Sequence, residues 1–500
     1  MGLGKVYFVG AGPGDDQLIT LKGLACIKSA DIILYDRLVN PKLLENARDE
    51  AKLVYCGKLP HQHLKNQETI NQLLIQYAKQ GKVVVRLKGG DPGVFGRVGE
   101  EASSLSPYKI PYEIIPGITS GMAAPLYAGI PVTHRDFGTS FAVVTGHDKS
   151  ADGKPKINWK SLATGIDTLA FYMGVSNLPY ICKSLMDHGR DKATPVIIIQ
   201  WGTYSRQKVV EGTLETIVEK AAERNITNPA ITLIGDIIKI RDKVKWFENR
   251  RLAGRSIAIA GDIDNNEKLF MNLKSEGADV FNVLTTKIHS RITEQGFTTE
   301  IENIAQYKQV IFSSPIAVDY FFKALFDLEI DIRSIHSKFF HTNEKTKEAL
   351  KRHGCFVSTE KMNKLEPTLF ITGCHSKLFN EYKKQFINLV PLFTHEQRLC
   401  NHTLEIFQRI IENKHVSEII FTESSIEPLK NLIQTGKINP FEICKLTVTS
   451  IGKGTSLRLQ QLGIKVSKQI DKPTSITLEE AIFNSIVGES EMVHHSEFVR

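Results

Sequence analysis

The sequence predicts an α/β protein of several domains, on three observations. Short β-branched runs alternate with amphipathic helical patterns along the whole chain, the rhythm of strand–helix units. At 500 residues the chain exceeds one ordinary core, and its length corresponds to about three domains. Hydrophobic residues make up 42%, enough to build folded cores and too many for a disordered chain.

In order, the first-half strands are Lys5–Val9, Asp31–Tyr35, Val83–Leu87, Tyr112–Ile115, Phe141–Thr145, Leu169–Met173, Val196–Gln200 and Ile231–Ile234. Helices fill the gaps. In Asn66–Lys79, for example, Ile70, Leu73, Leu74, Tyr77 and Ala78 recur at helical spacing and form one apolar face. Ser150–Lys156 reads as a loop between two lobes. The charged tract Arg241–Arg255 reads as a linker, after which the rhythm restarts at Ser256–Ala260. The second half holds two internal echoes. QVIFSSPIAVDYFFKAL from Gln309 and EIIFTESSIEPLKNLI from Glu418 are each a strand, a hydroxyl-rich turn and a helix. Glu344–Gly354 and Gly454–Gly463 match as helices with an early Thr and a final Gly, so a duplicated lobe explains both pairs. Gly488–Arg500 reads as a frayed polar tail.

No apolar run approaches the ~18 residues that cross a bilayer, and MGLGKVYFVG lacks the features of a signal peptide. The expectation is a cytoplasmic protein with no membrane partner. The seven cysteines are dispersed, with no CxxC pair, which fits reduced thiols and no metal site. A net charge of +8 fits nucleic acid, a small polyanion or simply a solvated lysine-rich surface.

Four of the five chemistry-bearing motifs follow a strand or open a helix beside one, and the carboxyl ends of strands are where open α/β sheets bind ligands. Gly10-Ala-Gly12-Pro13-Gly14-Asp15 follows the first strand, and its glycines let backbone N–H groups approach a ligand. It is not the dinucleotide fingerprint, because Asp15 stands where the third glycine belongs. Arg86-Leu-Lys88-Gly89-Gly90-Asp91-Pro92 forms a second turn, and Pro116-Gly117-Ile118-Thr119-Ser120 a third. Tyr35-Asp36-Arg37-Leu38 and Cys56-Gly57-Lys58 complete the set. Taken singly, each also fits a tight turn or a helix cap.

In order, VGAGPGD, YDRLV, Gly57-Lys58, RLKGGDP, PGITS, GIPVTHRD, VTGH and FYMG resemble the uroporphyrinogen-III C-methyltransferase family, over about residues 4–247. The resemblance implies a two-lobed tetrapyrrole methylase fold over residues 1–250, with S-adenosylmethionine between the lobes, S-adenosylhomocysteine as product, and a homodimer. It implies that Pro13 contacts the cofactor. Gly89, Gly90 and Asp91 hold its ribose and methionine part, with Val94 nearby, and Thr119 and Ser120 meet its methionine end. Met173 and Gly202, with Ala230, line the adenosine pocket. Asp36 matches the family's general base and Lys58 its general acid. Val94 stands where isoleucine is common, and Trp201 replaces a more polar residue before Gly202.

The residue types suit that chemistry. Aligning an electrophilic methyl with a pyrrole carbon is largely a matter of orientation. The attacked ring gains positive charge and must lose a proton, which a carboxylate such as Asp36 can stabilise and accept. Arg37, Lys88, Arg97, His134 and Arg135 lie in or beside the motifs and are candidates to bind the tetrapyrrole's carboxylates, with a solvated surface charge as the alternative for each.

Within a second domain at 251–500, residues 255 to about 487 more faintly resemble uroporphyrinogen-III synthase, through VIFSSPIAVDYFF, EKTKEALKRHG, EIIFTESS and SIGKGTSLRLQQLGIKV with Lys472-Pro473-Thr474. The resemblance implies a two-lobed synthase-like α/β module, with one lobe from about 255–287 plus 415–487 and the other from about 288–414. Two turns and one strand residue depart from that family: Ala260-Gly261-Asp262 replaces an Arg-Pro turn, Thr372-Gly373 an Arg-Gly turn, and Phe393 a tyrosine on the returning linker strand. This half therefore reads as a synthase or as a non-catalytic binding module. A nicotinamide oxidoreductase and an RNA methyltransferase remain as alternatives for the first half, although YDRLV and RLKGGDP favour a tetrapyrrole over nucleic acid.

Overall fold

The computed structural model describes residues 2–57, 67–148, 153–262, 266–374, 376–399, 402–471 and 478–497. They form four five-stranded sheets. The chain divides into two compact units, Met1–Thr285 with Asn401–Arg500, and Thr286–Cys400.

The first sheet contains β1 (Val6–Gly10), β2 (Ile32–Tyr35), β3 (Lys52–Tyr55), β4 (Val84–Lys88) and β5 (Tyr112–Ile115). Its order is β3-β2-β4-β1-β5, and every pairing is parallel. All the carboxyl ends therefore open on one edge, and the motif turns gather there. Val6, Phe8, Leu34 and Val84 pack against Leu74 of the helix Gln67–Lys79. β4 is buried along its whole length, including Arg86 and Lys88. Charged residues inside a parallel sheet require partners, and those partners belong to the site described below.

The second sheet contains β6 (Phe141–Thr145), β7 (Thr168–Tyr172), β8 (Pro195–Gln200), β9 (Lys208–Thr213) and β10 (Ala230–Ile234), in the order β6-β7-β10-β8-β9. Only β6 and β7 run parallel; the other pairings are antiparallel. Helices bury Leu169, Phe171 and Ile198 on one face, while Ala170, Ile197 and Ile199 pack on the other, the period-two division of a doubly covered sheet. The sequence pattern locates the other eight strands of this half to within a residue or so at each end but misses β3 and β9. Both are edge strands, half exposed, without the continuous apolar run of a central strand.

The third sheet contains β11 (Ser256–Ala260), β12 (Asp279–Val283), β18 (Glu418–Phe421), β19 (Thr447–Ile451) and β20 (Lys468–Ile470). It is parallel throughout, in the order β12-β11-β18-β19-β20. The fourth contains β13 (Thr286–Ser290), β14 (Gln309–Phe312), β15 (Lys338–His341), β16 (Thr368–Gly373) and β17 (Leu389–Leu399), in the order β13-β17-β16-β14-β15. The echoed segments fold alike: β14 leads into the helix Pro315–Asp327 and β18 into the helix Ile426–Gln434. Thr346 and Thr455 are both buried near the starts of their helices.

Three segments differ from the sequence expectation. Arg241–Arg255 is packed rather than a solvated linker: Phe247 and Leu252 are buried, and Arg241 lies between Glu211 and Glu248 at 3.0 and 2.7 Å. The helix Thr403–Glu412 belongs to the first compact unit, because its face of Ile406, Phe407 and Ile410 is buried there. The closing helix runs Leu478–Glu497, through most of the expected tail.

Candidate active site

Three turns of the first sheet meet backbone to backbone. Gly12 N–H donates to the Gly90 carbonyl at 3.2 Å, and Gly90 N–H returns a bond to Gly12 O at 2.7 Å. Gly90 has φ +71°, and a Cβ on Gly117 would lie 2.3 Å from the Gly90 carbonyl oxygen. Glycine is thus required by direct contact. Asp91 locks the arrangement: Oδ1 accepts from Gly93 N–H at 2.7 Å, and Oδ2 from Gly117 N–H at 2.9 Å.

These turns line one side of a cavity of about 590 Å³. Pro13, Asp36, Arg37, Lys88, Gly89, Gly90, Asp91, Val94, Arg97, Thr119 and Ser120 line it from the first sheet's side, and Met173, Gly202 and Ala230 from the second's. His134 and Arg135 are not in the lining; His134 Nδ1 lies 3.8 Å from Asp136, and Arg135 is exposed. Lys58 lies outside the described residues.

Behind Asp36 lie three buried charges, Arg86, Glu101 and Lys88. Arg86 donates to Asp36 Oδ1 at 2.6 Å and, on its other side, lies 3.3 Å from Glu101 Oε1. Lys88 Nζ reaches the same Glu101 oxygen at 2.9 Å, as does Gln67 Nε2 at 3.0 Å. Burial opposes the Glu101 charge, but Arg86 and Lys88 outweigh it and hold the carboxyl below its ordinary value. Burial likewise works against Arg86, and Asp36 and Glu101 more than restore its charge. Lys88 is held below the usual lysine value by burial and by Arg86. Its ammonium is committed to Glu101, which weakens the expectation that it binds a substrate carboxylate. Arg97, with φ +58°, pairs with Glu100 at the cavity rim.

Tyr172 joins the two sides. Its hydroxyl lies 2.5 Å from Thr119 Oγ1 and accepts from Gly121 N–H, while its ring stands 5.2 Å from Phe95. Met173 and Trp201, directly after β7 and β8, have φ of +54° and +53°. Tyr204 Oη is buried, and Tyr204 lines the cavity; the hydroxyl has no hydrogen-bond partner among the described residues.

Sequence reasoning missed Arg86, Glu101, Tyr172 and Tyr204. Arg86 was accessible through strand alternation, which puts it on the same face as Lys88. Glu101 and Tyr204 reach the site only through tertiary packing and carry no local signal.

Comparison with known proteins bears on this geometry. Residues 5–218 match the family of tetrapyrrole (corrin/porphyrin) methylases, and residues 267–366 match uroporphyrinogen-III synthase HemD. A Bacillus subtilis uroporphyrinogen-III C-methyltransferase is 45% identical over 417 residues, covering 83% of this chain and 85% of that protein. A Priestia megaterium uroporphyrinogen-III C-methyltransferase is 59% identical over 236 residues, 47% of this chain and 99% of its own length. The solved uroporphyrin-III C-methyl transferase of Thermus thermophilus, complexed with S-adenyl homocysteine, is 37% identical, with 47% of this chain and 100% of that one covered and a TM-score of 0.41.

Proposed function

The chain belongs to the uroporphyrinogen-III C-methyltransferase family, and on that premise we propose that its first half transfers two methyl groups to uroporphyrinogen III to give precorrin-2, from S-adenosylmethionine held in the cavity. The observation that carries this reading is the convergence of three glycine turns and Asp36 on one cavity. S-adenosylmethionine, when bound, supplies a methyl group on a sulfonium, already a strong electrophile. The glycine turns let backbone approach it closely; Gly89, Gly90, Asp91 and Thr119 would hold it, and Met173, Gly202 and Ala230 would enclose its adenosine. Arg86 fixes the orientation of Asp36, which would stabilise the charged pyrrole and take its proton. Arg37 and Arg97 stand at the cavity to meet substrate carboxylates.

The second half would make the substrate. A linear tetrapyrrole closes without an enzyme to an unflipped isomer, so a synthase must hold the last ring inverted, a task of shape more than of any single acid or base. The same reading gives a cytoplasmic homodimer. Edge strand β5 exposes Tyr112 and Ile114 and the following helix exposes Met122 and Leu126, an apolar surface that a second copy would cover. No described helix is long and apolar enough to cross a membrane.

Feeding hydroxymethylbilane to the full chain, with and without S-adenosylmethionine, tests both halves. The expected products are isomer III without the cofactor and a species two methyl groups heavier with it. Cofactor turnover on RNA but not on the tetrapyrrole overturns the first reading. Isomer I alone, formed at the uncatalysed rate, overturns the second and leaves a binding module in its place.

A further inference from the structure

We propose that the segment His402–His415 of the C-terminal half positions both walls of the methyl-transfer cavity, so that methyl transfer depends on the synthase-like lobe, although no described residue of that lobe lines the cavity. The proposal rests on the methyltransferase reading above.

The first wall is the one that carries Asp36. Tyr35, immediately before it, is 2% exposed, and its hydroxyl donates to Glu405 Oε1 on the helix Thr403–Glu412. Arg409, one turn further along that helix, donates to the same Glu405 oxygen at 3.1 Å and to Glu412 at 2.5 Å. Its guanidinium lies 4.1 Å from the centre of the Tyr55 ring, and Tyr55 stands 5.4 Å from Tyr35. Tyr55 in turn abuts the Gly57 turn, where an added Cβ would come within 2.3 Å of the phenol oxygen. Asp36 and Gly57 both line the cavity, so two of its residues are backed by aromatic rings that this one helix holds. His402 Nε2, 2.8 Å from the Arg48 carbonyl, ties down the start of the helix.

The second wall carries Trp201, Gly202 and Tyr204. The Arg206 guanidinium lies 3.6 Å from the centre of the Trp201 ring. It donates to the carbonyls of Asn413 and Lys414, which follow the same helix, and lies 3.2 Å from His415 Nδ1. His415 is buried against Trp201 and Tyr204, with centroid distances of 5.9 and 5.4 Å. Trp201 holds a left-handed backbone conformation that costs energy, so packing from outside matters to its place.

One segment of fourteen residues therefore contacts the base-bearing wall at one end and the adenosine-side wall at the other. A cavity that needs its walls at fixed separation loses rate when either wall shifts, by as much as roughly 10²-fold for a 1 Å misplacement. Tyr35, Glu405 and Arg206 are positioning residues in this scheme. The coupling is reciprocal for binding: cofactor in the cavity strengthens the seating of the segment.

The test uses the full chain, four single variants, Glu405→Ala, Glu405→Gln, Tyr35→Phe and Arg206→Ala, and one double variant. Methyl-transfer kcat and KM, S-adenosylmethionine affinity by calorimetry and the thermal midpoint are measured for each. Glu405→Ala and Tyr35→Phe should each lower kcat roughly five- to tenfold and leave cofactor affinity within about twofold. Glu405→Gln keeps an acceptor and should restore most of the rate. Combining Tyr35→Phe with Glu405→Ala should cost no more than either alone. Arg206→Ala should weaken cofactor binding roughly tenfold, with kcat at saturation near that of the parent. If all four change only the thermal midpoint, the segment is merely glue between domains and the proposal falls. Should Glu405→Ala misfold, Glu405→Gln and Tyr35→Phe decide the first wall. A parent without turnover sinks the methyltransferase reading, while the Arg206→Ala binding measurement still judges the second wall.

Discussion

The two halves of the chain finish their parallel strands in different chemistry. At the ends of β1, β4 and β5 the turns meet through glycine backbone, and side chains such as Asp36 and Thr119 are left to face a cavity. In the C-terminal half hydroxyls take that place and largely bond within their own sheet. Ser313 donates to Thr372 at 2.8 Å, Thr422 donates to the Ala260 carbonyl at 2.9 Å and lies 2.9 Å from Ser424, and Ser450 lies 2.6 Å from Ser456. A glycine turn spends backbone on architecture and keeps side chains for chemistry. A hydroxyl turn spends its side chains on itself, which suits a module that works by shape. Single side chains should therefore dominate the chemistry of the first half and matter little to that of the second.

The strongest way to break this contrast is Asp36→Asn. Loss of a general base should lower methyl-transfer kcat by roughly 10²-fold or more, with cofactor affinity nearly intact. Normal turnover would show that Asp36 is not the base. Asp91→Ala comes next. It strips the acceptor from the exposed Gly93 N–H, which water can satisfy, and from the part-buried Gly117 N–H, at about 1 kcal/mol for the latter, and should weaken S-adenosylmethionine binding about tenfold or more by calorimetry. In the other half, Ser313→Ala removes one buried hydroxyl pair. The expected loss is about 1 kcal/mol of stability, read by denaturant unfolding, with methyl transfer unchanged. A collapse of isomer III formation in Ser313→Ala would instead mean that side-chain chemistry operates there too.

The same contrast explains what was legible in the sequence. Glycine turns are spelled out locally, because a contact that excludes Cβ admits few substitutes, and the cofactor-side candidates from Pro13 to Ser120 fall together on one cavity. Strands such as β2 and β8 announce themselves through apolar runs, whereas β3 and β9, half-exposed edge strands that carry lysine or glutamate, do not. The ionic partners of the site were less visible. Glu101 looks like any helix-surface acid until β4 buries Arg86 and Lys88 beside it. Arg241–Arg255 looks like a charged linker because sequence does not show that Arg241 pairs with Glu211, thirty residues earlier. The docking of Glu405 and Arg206 joins residues hundreds of positions apart to their partners, beyond any local signal.

The smallest expected effect concerns pH, at the contact that links the two halves. Asp279, at the start of β12, accepts from Ser205 N–H at 2.9 Å, and burial, with Asp15 and Asp16 adding to it, pushes its carboxyl up to about 7 against the pull of Ser205 and Arg206. His415 is pushed the other way, down to about 3, by burial and then by Arg206 and Arg37. The signs oppose. The folded chain keeps the Asp279 proton that the unfolded chain releases near pH 4, so this contribution is full in acid and is lost as pH rises through about 7. For His415 the folded chain excludes a proton, so its contribution is full above about pH 6.5 and is lost as pH falls. Asp279→Asn should therefore gain on the parent as pH rises from about 5 to about 8, by about two degrees in thermal midpoint. His415→Gln should gain on the parent as pH falls below about 6.5. Midpoint differences that stay flat across this range in both variants would mean that neither group carries an unusual proton in the folded protein. The contact between the halves would then be indifferent to pH.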